Sequence, residues 1–213
     1  MTHFDLVIFD CDGVLVDSER VIAKVCVREL ALCGWSMSEQ QFATRFVGRS
    51  RDVWKSEVRI RLGDVASEQW FEHVDKEIET ALEKDLVPVS GVIEVLSDLN
   101  LPVCVASNSN HARIESALQK TALWPYFAGR CFSSDDVDYG KPSPDLFLYA
   151  AKSCGVSPAE CAVVEDSPAG VEAAMAAGMK CFVYTGGLID ATRLSKVDAI
   201  PFNDMRHLKQ LLG

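Results

Sequence analysis

The sequence predicts an α/β fold, a doubly wound parallel sheet carrying an inserted all-helical segment, and three observations predict it. Short apolar runs recur at Leu6–Phe9, 102–106, Cys161–Glu165 and Lys180–Tyr184, and from residue 90 onward they alternate with stretches long enough for amphipathic helices. That is the βαβ rhythm of a parallel sheet. The runs are near-continuously apolar rather than alternating, which calls for helices on both faces. Residues 18–86 break the rhythm, since they hold no convincing strand and 67–86 reads as strongly helical with mixed charges.

The first strand, Leu6–Phe9, runs straight into Asp10-Cys11-Asp12-Gly13. Side chains alternate along a strand, so Asp10 and Asp12 are expected to share a face while Cys11 turns away. Two close carboxylates repel unless a cation or a shared proton compensates, and an oxygen-only set suits a hard ion such as Mg²⁺. Gly13 allows the chain a sharp exit. Ser18 is expected to cap the first helix of the insertion, with Glu19 in its first turn where the helix dipole favours a carboxylate. Val87-Pro88-Val89-Ser90-Gly91 reads as the return linker. The expected organisation is therefore one discontinuous α/β core, residues 1–17 and 87–213, with a helical cap at 18–86.

Beyond the linker, Ser107 and Asn108 stand where the strand 102–106 gives way to a helix, so hydroxyl and backbone N–H groups would face a phosphate there. Lys141 lies between Gly140 and Pro142; alone, such a dipeptide marks only a helix start. Glu165 and Asp166 form a second acidic strand end after Cys161, and Asp166 or Ser167 is expected to cap a helix over 168–178. The small residues of that helix, from Ala169 to Gly178, suggest close helix-to-sheet packing rather than chemistry.

The string from Asp10 to Glu19 resembles the first motif of the haloacid dehalogenase superfamily, in its phosphatase and β-phosphoglucomutase-like branch. Val105-Ala106-Ser107-Asn108-Ser109-Asn110, Gly140-Lys141-Pro142-Ser143-Pro144 and Val163-Val164-Glu165-Asp166-Ser167-Pro168-Ala169-Gly170 are similar to its second, third and fourth motifs, in order. The resemblance covers essentially the whole chain. It implies a Rossmann-like core with a helical cap, and a Mg²⁺-dependent phosphatase acting on a small phosphorylated metabolite, a sugar phosphate or a sugar-acid phosphate such as 6-phosphogluconate. By the same resemblance Asp10 is the nucleophile that forms an aspartyl-phosphate. Asp12 is the general acid and base, with a pKa raised by the surrounding carboxylates. Ser107 and Lys141 serve catalysis and, with Asn108, hold the phosphate. The implied metal ligands are the Asp10 carboxylate, the main-chain carbonyl of Asp12 and Asp166, with Glu165 acting directly or through water. A phosphosugar mutase would use the same intermediate and return the phosphoryl group to a sugar hydroxyl; those relatives tend to carry Thr where this chain has Val16-Asp17-Ser18, which favours the phosphatase. A dehalogenase lacks the second aspartate. A catalytically silent binding protein is disfavoured because every expected catalytic position is filled.

Composition narrows the partners. The 213 residues are 48% hydrophobic, enough for a substantial core, and the formal net charge of −10 argues against a nucleic-acid partner. The eight cysteines form no CxxC pair and read as buried free thiols of a cytoplasmic protein, a monomer or weak dimer. No apolar run approaches a bilayer-spanning length, so no membrane role is expected. Specificity is expected in the cap, where Val47-Gly48-Arg49-Ser50-Arg51 sets two cations beside a flexible glycine; Arg49 and Arg51 could hold a distal phosphate or carboxylate, or be solvated. His111 reads as a helix-surface residue near the second motif, and Asp135-Asp136-Asp138 as a solvated loop that could orient Lys141.

Overall fold

In the computed structural model, which describes residues 3–188 and 199–213, six strands form one parallel sheet. They are β1 (Leu6–Phe9), β2 (Val103–Ser107), β3 (Cys131–Ser133), β4 (Cys161–Glu165), β5 (Lys180–Tyr184) and β6 (Ile200–Phe202), in the order β3-β2-β1-β4-β5-β6. Residues 1–2 and 189–198, part of the expected core, lie outside the described residues. The α-helices are α1 (Ser18–Leu32), α2 (Glu39–Phe46), α3 (Arg51–Leu62), α4 (Glu68–Asp85), α5 (Val92–Asp98), α6 (His111–Lys120), α7 (Trp124–Phe127), α8 (Asp145–Cys154), α9 (Pro168–Ala176) and α10 (Leu208–Leu212).

Strand alternation sorts the core into two layers. Leu6, Ile8, Cys104, Ala106, Cys161, Val163, Cys181 and Val183 face one side, closed by Phe147 and Ala150 of α8 and Val171 and Ala174 of α9. Val7, Phe9, Val105, Ala162, Val164 and Phe182 face the other, closed by Val95 of α5, Ile114 and Leu118 of α6 and Leu208 of α10. All four residues of β1 are fully buried, each large side chain contributing about 1.5–3 kcal/mol. The strand order reverses at β1, with β2 on one side and β4 on the other. In open parallel sheets ligands bind at that reversal, outside the carboxyl ends of the strands. Asp10 follows one of these strands and Asp166 the other.

Helices α1–α4 form the insertion, and its apolar residues Ala23, Leu30, Phe42, Trp54, Val58 and Phe71 continue the first core layer. Ser38, Ser50 and Ser67 cap α2, α3 and α4 through their side chains. The two crossings between sheet and insertion lie side by side. Asp17 donates its N–H to the Val87 carbonyl at 3.0 Å, Val89 donates to Leu15 at 2.9 Å, and Val16 bridges Pro88 in antiparallel fashion.

Local expectations shift in several places. Ser18 is not the cap of α1. Asp17 occupies that position without a capping bond, because the Ser18 hydroxyl is drawn to Asp12. The second strand sits one residue later than 102–106, so Ser107 ends it rather than following it. The helix after it begins only at His111, capped by Asn110, which leaves 108–110 as a loop instead of a helix start. β3 and β6, three residues each at the sheet edges, are too short for any periodicity to register. All eight cysteines are free thiols, but Cys33, Cys131 and Cys154 are only half-buried rather than buried as expected, and among the described residues no helix is long and apolar enough to cross a membrane.

Candidate functional site

At the junction of β1 and β4 a single ammonium is clamped between two carboxylates. Lys141 Nζ donates to Asp10 Oδ1 at 2.5 Å and to Glu165 Oε1 at 2.6 Å, and all three residues are buried. The ammonium also lies 4.7 Å from the Phe147 ring centroid. Burial alone would push the lysine toward its neutral form, but Asp10 and Glu165 hold it charged, above the ordinary lysine range. Its main chain is fixed by Asn108, whose side-chain amide donates to the Lys141 carbonyl at 3.0 Å and whose Oδ1 accepts the Lys141 N–H at 2.8 Å. Asn108, expected to face a phosphate, thus spends its side chain on presenting the lysine. Ser107 Oγ accepts the Ser109 N–H at 3.1 Å and shapes the same loop.

Glu165, expected at the metal, is committed elsewhere. Its Oε1 holds Lys141, and its Oε2 accepts the N–H groups of Asp166 and Ser167 and the Ser167 hydroxyl, each at 2.9 Å. Gly170, in the first turn of α9, makes room for this carboxylate. A Cβ there would lie 1.8 Å from Glu165 Oε1, so this small residue serves the site as well as helix-to-sheet packing. Gly-to-Ala within a helix ordinarily gains about 0.5–1 kcal/mol; Gly170→Ala is expected to lower the melting temperature instead, and a rise would refute the contact.

Asp12 does not share the Asp10 network. Its Oδ1 accepts from the Ser18 hydroxyl at 2.6 Å and from Arg113 Nη2 at 3.2 Å, and its Oδ2 from the Ser109 hydroxyl at 2.8 Å. The expected raised pKa is overturned. Burial pushes the group up, but the Arg113 guanidinium and these hydrogen bonds together hold it below the ordinary aspartate value. Arg113 and Ser109 had not been singled out from the sequence. One signal existed for Arg113: it stands in the first turn of a helix, where the dipole disfavours a cation, so its charge calls for a nearby anion.

Asp10, Glu19 and Asp166 are shifted the other way. Burial pushes Asp10 up to about 7 against the pull of Lys141. It pushes Glu19 to about 8, reinforced by Asp12 and Asp10, and Asp166 well above the usual range, reinforced by Glu19 and Glu165. Asp166 Oδ2 is buried without a hydrogen-bond partner and lies against Gly13, where a Cβ would come within 2.0 Å of it at φ +82°. Among the described residues no three His, Cys, Asp or Glu side chains form a ready-made cation cage. The orphaned Asp166 oxygen, buried where the charge of Asp10 acts on it, is nevertheless of the kind a hard divalent ion takes.

These shifts carry a sign. Each of the three carboxyls binds its proton more tightly in the folded chain than in the unfolded one, so the stability they add is present at low pH and lost as pH rises, through about 7 for Asp10 and about 8 for Glu19. In EDTA the melting temperature is expected to be higher near pH 6 than near pH 9. A divalent cation should flatten that slope, and a slope of opposite sign would contradict the clustering.

A cavity of about 370 Å³ opens between the insertion and α6, lined by Glu19, Phe42, Arg49, Arg51, Trp54 and Arg113 among others. Arg49 and Arg51 thus reach the space beside Asp12. Arg49 pairs with Glu57 at 3.5 Å, and Arg51 pairs with Asp75. His111 is exposed and bonds Asp136 at 2.9 Å. Asp136 also accepts the Ser133 N–H, so the acidic cluster holds its own turn rather than Lys141.

The haloacid dehalogenase-like hydrolase family model matches residues 4–178. The 6-phosphogluconate phosphatase of Escherichia coli (strain K12) is 30% identical over 185 residues, covering 86% of this chain and 84% of that protein. Hexitol phosphatase A of the same strain is 32% identical over 205 residues, covering 91% and 88%. A conserved haloacid dehalogenase-like protein of unknown function from Agrobacterium tumefaciens str. C58 superposes with a TM-score of 0.92 at 38% identity, over 98% of this chain and 97% of that one.

Proposed function

Because the chain belongs to the haloacid dehalogenase-like hydrolases and is a phosphatase, we propose that it hydrolyses the phosphate monoester of a small sugar or sugar acid, with Mg²⁺, through an aspartyl-phosphate on Asp10. The observation that carries this reading is the Lys141 ammonium bridging Asp10 and Glu165 at the sheet's reversal point. A carboxylate there is fixed in direction and beside a cation that offsets the charge of an incoming phosphate. The core comprises 1–17 and 87–213, and the insertion 18–86 is a cap that closes the site from water.

Asp10 attacks phosphorus, the bond from phosphorus to the leaving oxygen breaks, and Asp12 gives that oxygen a proton. Water then attacks the aspartyl-phosphate, Asp12 takes its proton, and inorganic phosphate leaves. Arg113 keeps Asp12 a carboxylate in the free protein, the form that the second half requires. The negative charge of a bound phosphate lifts its proton affinity for the first half. Asp10, the Asp12 carbonyl and Asp166 would hold the metal, while Glu165 orients Lys141. When bound, the ion would screen Asp10 from the phosphate and draw charge from the phosphoryl oxygens.

Phosphate release from a panel of sugar phosphates, sugar-acid phosphates and nucleotides tests the proposal. Release with Mg²⁺, loss in EDTA and recovery on adding the ion back are expected. Undiminished release in EDTA would remove the metal, and no release from any ester would remove the reaction.

A further inference from the structure

Three cysteines meet where α8 covers the sheet. Cys104 of β2 and Cys161 of β4 are fully buried in the first core layer, and Cys154, the last residue of α8, packs against that layer while staying half-buried. Hydrogen bonds sort them. Cys161 Sγ donates to the Ser157 carbonyl at 3.3 Å, and nearby Cys131 Sγ donates to the Phe127 carbonyl at 3.5 Å. Cys104, with α8 packed on β2, instead donates its thiol hydrogen to the Cys154 sulfur. Two sulfurs that share a hydrogen bond are within reach of a covalent link, whereas a thiol committed to a carbonyl is not poised for one.

The pair is unequal. The Cys104 hydrogen bond, foremost, and the Arg130 guanidinium hold the Cys154 thiol down to about 7 against its burial. The dipole of α8 opposes a thiolate at that end, but its effect is screened where solvent reaches the site. Cys104 keeps its proton, since the same hydrogen bond and burial push it well above the ordinary thiol range. A solvent-reachable thiol with thiolate character beside a buried second thiol is the arrangement in which one sulfur is oxidised and the other resolves it.

We propose that Cys154 is a site of oxidative modification, taking an oxygen from hydrogen peroxide and passing on to a reversible disulfide with Cys104. The Cys154 thiolate attacks one peroxide oxygen, the O–O bond breaks, and the departing hydroxide takes a proton from solvent to become water. Cys104 then attacks the sulfur of the resulting sulfenic acid, the S–O bond breaks, and the hydroxyl leaves as water with the Cys104 proton. Together the two cysteines give up two electrons, and one peroxide becomes two waters. A thiol reductant reverses the link. Cys104 lies near the start of β2 and Cys154 at the end of α8, whereas Asn108 and Phe147, which surround Lys141, come from the opposite ends of those elements. The inference is therefore independent of the phosphatase reading.

The test exposes the whole reduced protein to hydrogen peroxide near pH 7, alkylates it under denaturing conditions and digests it without reductant for mass spectrometry. Alkylated cysteines are expected to fall from eight by the two that are joined, with the peptides of Cys104 and Cys154 linked, and to return to eight after a thiol reductant. In Cys104→Ala the sulfenic acid on Cys154 should persist and be captured by dimedone. In Cys154→Ser, oxidation of Cys104 should slow by about tenfold or more, because the buried thiol has lost its reactive partner; this variant keeps the test decisive should Cys104→Ala not fold. A disulfide between any other pair overturns the proposal, as does dimedone on another cysteine ahead of Cys154. Undiminished oxidation of Cys104 in Cys154→Ser overturns it too, and so do eight alkylated cysteines after a dose that oxidises free cysteine completely.

Discussion

Asp10→Asn is expected to abolish phosphate release, by on the order of 10⁴-fold or more, in a protein that stays folded. Asparagine keeps the shape of the side chain, and its carbonyl oxygen can still accept from Lys141, which donates to Asp10 at 2.5 Å. What it loses is the charged oxygen that attacks phosphorus. The variant also removes one negative charge from a buried group in which Asp10 and Glu165 outnumber Lys141. Its melting temperature in EDTA should therefore equal or exceed that of the unaltered protein near pH 8. A phosphate-release assay and a thermal melt on the same sample separate the two effects, and activity within about a hundredfold of the original would sink the nucleophile assignment.

Lys141→Met should act on stability and activity together. The methionine chain fills most of the space beside Phe147, but Asp10 and Glu165 then face each other with no cation between them. Removing one partner of a buried ion pair costs about 3–5 kcal/mol, which for a chain of this size lowers the melting temperature by roughly 10 °C. A divalent cation should recover part of that loss, since it restores positive charge near Asp10, without recovering turnover. An unchanged melting temperature would mean that the two carboxylates are not both ionised around the lysine.

Much of the architecture was legible in the chain because it depends on patterns a sequence displays. Recurring apolar runs, two of which lead into Asp10 and Asp166, and a strandless stretch over 18–86 before the second of them, point to a parallel sheet with a helical insertion. Asp10 and Asp166 could be read the same way, as charges placed where strands end, whereas Lys141 lies in the loop before α8 and is carried by the resemblance alone. What escaped was side-chain choice among partners. Asn108 could have faced a ligand, yet its side chain meets Lys141; Ser18 could have capped a helix, yet it meets Asp12; Glu165 could have met a metal, yet it holds Lys141. Each of these residues has chemistry suited to both uses, and only the three-dimensional approach of its partner decides between them, 6 positions away for Ser18 but 33 for Asn108 and 24 for Glu165. The environment of Asp12 was misread for the same reason, because Arg113 lies 101 positions along the chain from it.

The two crossings between sheet and insertion, joined by the Asp17–Val87 and Val89–Leu15 hydrogen bonds, amount to a single seam rather than two tethers. A body attached by two separate threads can rock, slide and twist; one attached along a seam swings about one line, like a page about its binding. On the closure proposed above, the entrance to the cavity would widen from the edge farthest from the seam, and a given arginine in the wall would return to the same place each time the page closed.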